Sequence, residues 1–503
     1  MHVVLAALLM LVVKVLYAIC VASLFLVGLG QIINCVIYIF NYKKIWNRPD
    51  PPPPAEWPRV TVQLPIYNEK FLGERVINAV TGFDYPKDKL EIQVLDDSTD
   101  EQTIDILKTT VRKYRQEGID IKYLHREDRE GYKAGNLAFG LKHAKGDFLA
   151  IFDADFVPES DWLKKTVPCF QDPAIGFVQT RWDHINFKHN LITRMSGQIL
   201  DGSFIIEQNA RFQAGLIISF PGSAGIWRRQ CIESVGGWEW DTMTEDADMT
   251  FRSQIAGWKG YYLPKVRTMA ELPQAMDDFK LQQYRWCRGT AQVAFKLMKR
   301  LLPSKLPLNV KFMGMLHLMS YLTFPLMDLL LLLVLPVSLW AGNFIALFWW
   351  GAFVSIGPVL VYGLPKTEHT PRFVDRLVVL PFLLLVGVGI SLVCGLSVVS
   401  GLFQKGGVFI RTTRADPRIG REYDGEKKRI LNLFTVGEVA MGVYLIATLL
   451  TLWHTVGKLL SPWLGTSAIG YLFVAGTSLY QNIKQGIIRH IFPEKKPKED
   501  TTF

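Results

Sequence analysis

An α/β domain with a mostly parallel sheet, set between two blocks of membrane-spanning helix, is the architecture this sequence predicts. Three observations lead there. Uncharged apolar runs occupy both ends of the 503 residues, while Asp, Glu, Lys and Arg crowd positions 43–310. Within the charged stretch, short β-branched runs alternate with helix-length segments, as in strand–helix–strand units. Two of those runs end directly in acidic residues, at Asp96-Asp97 and at Asp153-Ala154-Asp155, and open α/β sheets bind ligands at such strand ends.

Hydrophobic residues make up 49% of the chain, high for a soluble protein. The net charge of +10 first suggests nucleic acid, but the placement of the basic residues argues against it. Lys43, Lys44 and Arg48 follow the first apolar run. Lys296, Lys299, Arg300 and Lys305 precede the second block, and Lys484, Arg489, Lys495, Lys496 and Lys498 follow the last. That is the footprint of cytoplasmic loops facing anionic lipid. The six cysteines form no CxxC pair, so they read as reduced thiols, neither a disulfide framework nor a zinc site.

Val15–Tyr42 holds no charged residue, ample for a span needing about 20 apolar residues. No basic segment precedes it and it is too long for a signal-peptide core. It is therefore read as an anchor with the amino terminus outside. Further spans are expected at Phe312–Leu339, Phe344–Leu364, Leu433–Leu452 and Leu459–Tyr480. Asp328 interrupts the first of these, either as a functional group or as a helix-packing hydrogen bond. Leu377–Gln404 is long enough to cross, but one crossing would put the basic loop Lys405–Lys428 and the lysine-rich carboxyl terminus outside. With Pro381, Gly387, Gly389 and Gly395 breaking its helix, it is expected to be interfacial or re-entrant. A hairpin of two short crossings would give the same parity. The expected protein is integral and multi-pass, in the plasma membrane, with its charged domain in the cytosol.

The expected organisation is an anchor at 1–44, a stiff proline-rich linker at 45–57 and the α/β domain at 58–275. Amphipathic interfacial helices follow at 276–309. The membrane region is 310–486, including the segment 377–404 and a cytosolic loop at 405–432, and a polar tail occupies 487–503.

Strands are expected at Arg59–Pro65, Glu91–Leu95, Asp120–Leu124 and Phe148–Phe152, with helices such as Thr103–Glu117 and Lys133–His143 between them. Asp153 and Asp155 flank one residue of extended chain, so both carboxylates leave the same side. A Mg²⁺ or Mn²⁺ shared with two phosphates wants such hard oxygens and few other protein ligands; a solvated acidic turn is the plain alternative. Asp96-Asp97-Ser98-Thr99-Asp100 is either a helix cap or, with Pro65–Glu69, the wall of a nucleoside pocket. Gly131–Asn136 adds the cation Lys133 on flexible backbone suited to a diphosphate. Thr244-Glu245-Asp246 lies in a polar turn before Met249–Ile255. Asp246 there is the candidate base for an acceptor hydroxyl, and acidic first-turn residues of a helix are the plain alternative. Gln282-Gln283-Tyr284-Arg285-Trp286 offers a planar cation for a departing diphosphate and an aromatic face for a sugar. The Ala291–Leu302 stretch after it suits an in-plane interfacial helix.

Together, from about Pro58 to Gly289, these motifs resemble membrane-integrated inverting glycosyltransferases of family 2, which include cellulose, hyaluronan, chitin and glucomannan synthases. Val94–Asp100, Gly131–Gly135, Phe152–Phe156, Gly225–Arg228, Glu271–Pro273 and Gln282–Trp286 are most similar to the plant glucomannan-synthase-like group and its bacterial relatives. The resemblance implies a GT-A type, Rossmann-like fold and a nucleotide diphosphate-sugar donor, UDP-glucose or GDP-mannose. Glu69, Asp96, Asp97 and Lys133 would hold the nucleotide together with Asp153. Asp155, helped by Asp153, would hold Mg²⁺ or Mn²⁺. Asp246, beside Glu245, would deprotonate the acceptor, and Gln282, Gln283, Arg285 and Trp286 would cover the diphosphate and the acceptor end.

Two departures stand out. Phe409–Arg414 is similar to the gating-loop motif of cellulose synthases, but Arg411 and Arg414 replace the usual valine and lysine. The cyclic-dinucleotide-sensing domain of bacterial cellulose synthases is expected to be absent, and its regulation with it. The products that fit are a β-linked glucan, mannan or glucomannan, threaded processively through the spans, or a glycolipid made by adding one sugar to a lipid such as diacylglycerol. A non-catalytic scaffold would not need Asp153, Asp155, Asp246 and Arg285 together. No residue decides the donor.

Overall fold

The computed structural model describes residues 2–341, 356–404, 406–407, 425–454 and 458–491. Its described residues form an eight-stranded sheet in the order β3-β2-β1-β4-β7-β6-β8-β5. The strands are β1 (Val60–Ile66), β2 (Leu90–Asp96), β3 (Ile121–His125), β4 (Phe148–Ile151), β5 (Val157–Pro158), β6 (Ile175–His184), β7 (Gly225–Arg228) and β8 (Lys259–Ala270). The four strands read from the sequence are all present and mutually parallel. The other half is mixed: β7 runs antiparallel to β4 and β6, β8 runs parallel to β6, and β5 runs antiparallel to β8. The reversal has a local cause. After the helical excursion that begins at Leu191, the chain re-enters at the carboxyl end of β4, where the Ala224 amide bonds the Ile151 carbonyl, so β7 can only run back down the sheet.

Strand alternation divides the core. Val60, Val62, Leu64 and Ile66 face one layer, which also holds Val76, Val80, Leu107 and Val111 of the helices Lys70–Thr81 and Glu101–Gln116. Leu149 and Ile151 face the other, with Leu137, Phe177 and Trp227. Each of these side chains stabilises the fold by about 1.5–3 kcal/mol through burial. Facing that second layer, β1 and β2 carry a polar rung. Thr61 donates to Glu91 at 2.6 Å and Gln63 to Gln93 at 3.0 Å, all of them buried, so the ladder leaves no buried carboxylate without a donor.

Among the described residues three helices are long and apolar enough to cross a membrane: Val4–Trp46, Ser320–Trp340 and Lys427–Leu452. The pair Phe373–Gly389 and Ser391–Phe403 passes the same test jointly but is bent by 45°, beside the glycines that interrupt Leu377–Gln404. The expected span at Leu459–Tyr480 lies within the helix Lys458–Ile491, which is not one of those three. Part of the expected span 344–364, and Phe409–Arg414, fall outside the described residues. Asp328 takes the packing role: Ser391 and Tyr471 both donate to its Oδ1, at 2.5 and 2.6 Å, tying three helices together.

Candidate functional site

A cavity of about 220 Å³ opens at the carboxyl ends of β1, β2, β4, β6 and β8. Its wall carries Glu69, Asp97, Lys133, Asp153, Asp155, Glu245, Asp246, Gln282, Arg285 and Trp286, drawing together motifs that are more than a hundred residues apart. Two candidates stand behind the wall. Asp96 is fully buried and accepts from the Ser98 amide at 2.9 Å and the Tyr123 hydroxyl at 2.6 Å. Gln283 is buried within the helix Met276–Leu301 and is not part of the cavity lining.

Lys133 is the hub. Its Nζ lies 2.5 Å from Asp153 Oδ1 and 3.8 Å from Glu245 Oε1, and donates to the Gly222 carbonyl at 2.8 Å. Burial disfavours the charged amine, but Asp153 and Glu245 outweigh it and hold the ammonium above its usual pKa. Gly222 has φ +88°, and a β carbon there would sit 2.9 Å from Asp246 Oδ2 and 3.4 Å from Lys133 Nζ. Glycine is therefore needed both for the turn and for the room.

Asp246 is pushed up to about 7, first by burial and then by the neighbouring Glu245. Burial also raises Glu245, against the pull of Lys133. A carboxylate with a pKa near neutrality suits proton abstraction. The helix here begins at Glu245 and extends to Ile255, and Thr244 makes no side-chain capping bond. Capping at the other acidic run falls to Asp100, which accepts from the Thr103 amide at 2.9 Å, leaving Asp97 available.

Sequence reading missed Arg126, which grips Asp97 with two prongs, Nε to Oδ1 at 2.8 Å and Nη2 to Oδ2 at 2.6 Å. It also donates to the Glu130 and Tyr132 carbonyls, so one guanidinium fixes both Asp97 and the loop leading to Lys133. Burial still holds Asp97 above its ordinary value. Arg129 was missed too; its guanidinium lies 3.3 Å from the centre of the Tyr67 ring, and both line the cavity. Arg75 joins Glu271 at 2.6 Å and the Asp155 carbonyl at 3.3 Å. Among the described residues three non-glycine residues have positive φ, Asn68, Tyr132 and Ala224. Tyr132 lines this cavity, and Asn68 sits between Tyr67 and Glu69, which line it too; strain of about 1–3 kcal/mol of this kind collects at functional sites.

The described residues contain no group of three or more His, Cys, Asp or Glu able to hold a metal by protein ligands alone. Asp153 and Asp155, both on the cavity wall, fit a hard divalent cation that takes its remaining ligands from diphosphate and water.

Residues 58–289 match the family described as glycosyltransferase like family 2. Similar proteins include probable glucomannan 4-beta-mannosyltransferases 4 and 11 of Oryza sativa subsp. japonica, 40% identical over 255 residues and 36% over 326. These alignments cover 50% and 62% of this chain, and 46% and 57% of those proteins. The chain thus spans about half the length of the relatives it matches. Similar in structure is the mannosyltransferase PcManGT of Pyrobaculum calidifontis, in complex with GDP-Man and Mn²⁺. It is 22% identical, with a TM-score of 0.49 over 71% of this chain and 98% of that one.

Proposed function

We propose that this chain, whose residues 58–289 match glycosyltransferase like family 2, is an inverting hexosyltransferase of GT-A-like fold that builds a β-linked mannan or glucomannan from a nucleotide diphosphate-sugar. GDP-mannose is the favoured donor, because the relatives named above are described as probable glucomannan 4-beta-mannosyltransferases. One observation carries the chemistry: Asp246, with its raised pKa, shares a cavity with the Lys133–Asp153 ion pair and with Arg285 and Trp286.

In this reading Glu69, Asp97 and Lys133 hold the nucleotide, with Arg126 fixing Asp97 from behind. Asp153 and Asp155 would hold Mg²⁺ or Mn²⁺, which supplies positive charge against the diphosphate. Asp246 takes the proton of the acceptor hydroxyl as its oxygen attacks the anomeric carbon. The bond from that carbon to the diphosphate breaks on the opposite face, which inverts the centre. Lys133 and Arg285 face the charge that develops on the leaving oxygens, the kind of preorganised stabilisation that lowers such barriers most. Trp286 gives the acceptor sugar an apolar face, and Gln282 lines the wall beside it. The membrane helices support extrusion of the growing chain from the cytosolic side and a multi-pass topology.

The test is to incubate membranes containing the full chain with labelled GDP-mannose or UDP-glucose, without added lipid acceptor, and then to analyse linkages. The expected product is a polymer of β-linked mannose. A product wholly extractable into organic solvent would overturn polymerisation in favour of glycolipid synthesis. No transfer from either donor would overturn the enzymatic reading.

A further inference from the structure

The turn that carries Asp246 is held from below by the helix Met276–Leu301. At Gly289 the two approach so closely that a β carbon would meet Thr244 Cγ2 at 2.4 Å. One turn further along, Gln292 is buried, at 5% exposure. Its Oε1 accepts from the Met243 amide at 2.8 Å, and its Nε2 donates to the Gln404 and Gly406 carbonyls, both at 2.7 Å. The backbone partners force this orientation of the amide, since an amide can only donate and a carbonyl can only accept. All three hydrogen-bonding positions it needs here are filled.

The segment on the far side is itself packed against the same helix. Gly401 approaches so closely that a side chain would meet the Arg288 carbonyl at 2.6 Å. Arg288 donates to the Gln404 side chain at 2.9 Å, and the Gly406 amide bonds Asp241 at 2.9 Å. Gln404 directly follows Ser391–Phe403, the second half of the bent helix pair.

We infer that Gln292 is a positioning residue for the reaction, tying the Met243–Asp246 turn to the end of the bent membrane-associated helix pair so that the base is set only when both are seated. This rests on the reading of Asp246 as base. No other residue type spans the same gap with one acceptor and two donors. Glutamate has the same length and keeps the acceptor for Met243, but it turns a carboxylate towards two carbonyls. Leucine loses both ends.

The experiment compares Gln292→Glu and Gln292→Leu in the full-length purified protein. Steady-state transfer is measured, together with hydrogen exchange of peptides covering 241–250. Both variants are expected to lose about tenfold or more in kcat, the scale of a small misplacement of a reacting group, with donor KM nearly unchanged. Exchange should quicken at Met243–Ala247 in the leucine variant and stay near wild type in the glutamate variant, while β1 stays protected in both. Wild-type kcat in Gln292→Glu, a change confined to KM, or loosening spread across the whole domain would each overturn the inference. If the leucine variant fails to fold, the glutamate variant decides alone. Should the wild type transfer neither sugar, it is the reading of the enzyme that fails, and local exchange in the leucine variant still tests the tie.

Discussion

Replacing Asp246 by Asn separates the cost of holding a buried base from its use. The Asp246 carboxyl is pushed up from 3.8 to about 7, with burial the largest cause and Glu245 the next. That gap corresponds to about 4 kcal/mol of ionisation cost in the folded chain. The sign follows from which state holds the proton. Between about pH 4 and pH 7 the folded chain keeps a proton that the unfolded chain has lost. The stability linked to this group is therefore complete below about pH 4 and lost as pH rises through about 7. Asparagine stays neutral throughout. Asp246→Asn should thus match the wild type in thermal stability near pH 4 and exceed it by up to about 4 kcal/mol at pH 8. Activity should move the opposite way. Wild-type kcat/KM should fall about tenfold per pH unit below 7 and level off above 8, and the variant should lose this limb together with about 10²–10⁴-fold of the rate. Thermal unfolding followed by tryptophan fluorescence and a pH series of donor turnover measure the two halves. A limb near pH 7 that survives in Asp246→Asn would refute the assignment of the base. If Glu245→Gln then removed the limb, the base would be Glu245.

Arg126→Lys keeps a cation but loses the two-pronged grip on Asp97. A charged hydrogen bond contributes about 1.5–3 kcal/mol, so donor KM should rise about tenfold or more with little change in kcat; an unchanged KM would remove Asp97 from donor binding. Lys280 and Glu438 form a wholly buried ion pair at 2.7 Å between the helix Met276–Leu301 and the candidate span Lys427–Leu452. Lys280→Met should cost about 3–5 kcal/mol by stranding the carboxylate, and adding Glu438→Leu should recover most of it in thermal unfolding. Chelation should stop transfer, Mn²⁺ or Mg²⁺ should restore it, and Asp155→Asn should raise the metal concentration needed for half-maximal rate. Transfer that persists in chelator would argue against a metal held by Asp153 and Asp155.

What the sequence disclosed divides along the line between local and non-local information. Strands β1 to β4 were legible within a residue or two because apolar runs and their turns are local signals. The helix starting at Glu245 was read four residues late because its first turn is acidic and polar, with no apolar period to mark it. Strands β6 to β8 pair according to where a helical excursion returns the chain, which no local pattern encodes. Arg126 shows the same limit from the side of chemistry. Arg126-Glu127-Asp128-Arg129 mixes both charges as a solvated loop does, and nothing in that run marks one arginine side chain as buried. The register supplies what the run does not: in the parallel pair β2 and β3, Asp96 lies opposite His125, so the next residues of each strand, Asp97 and Arg126, meet at the rim. A charged residue one step past each of two neighbouring parallel strands is thus a signal that could have been used once the strands were named. The same geometry explains the division of labour in the acidic pair. Asp96, the last residue of β2, turns into the sheet and is consumed by Ser98, Tyr123 and His125, whereas Asp97, one step further, turns to the cavity with a guanidinium behind it. Adjacent identical residues have opposite fates because a strand alternates its faces, and only the one on the open face can meet a ligand.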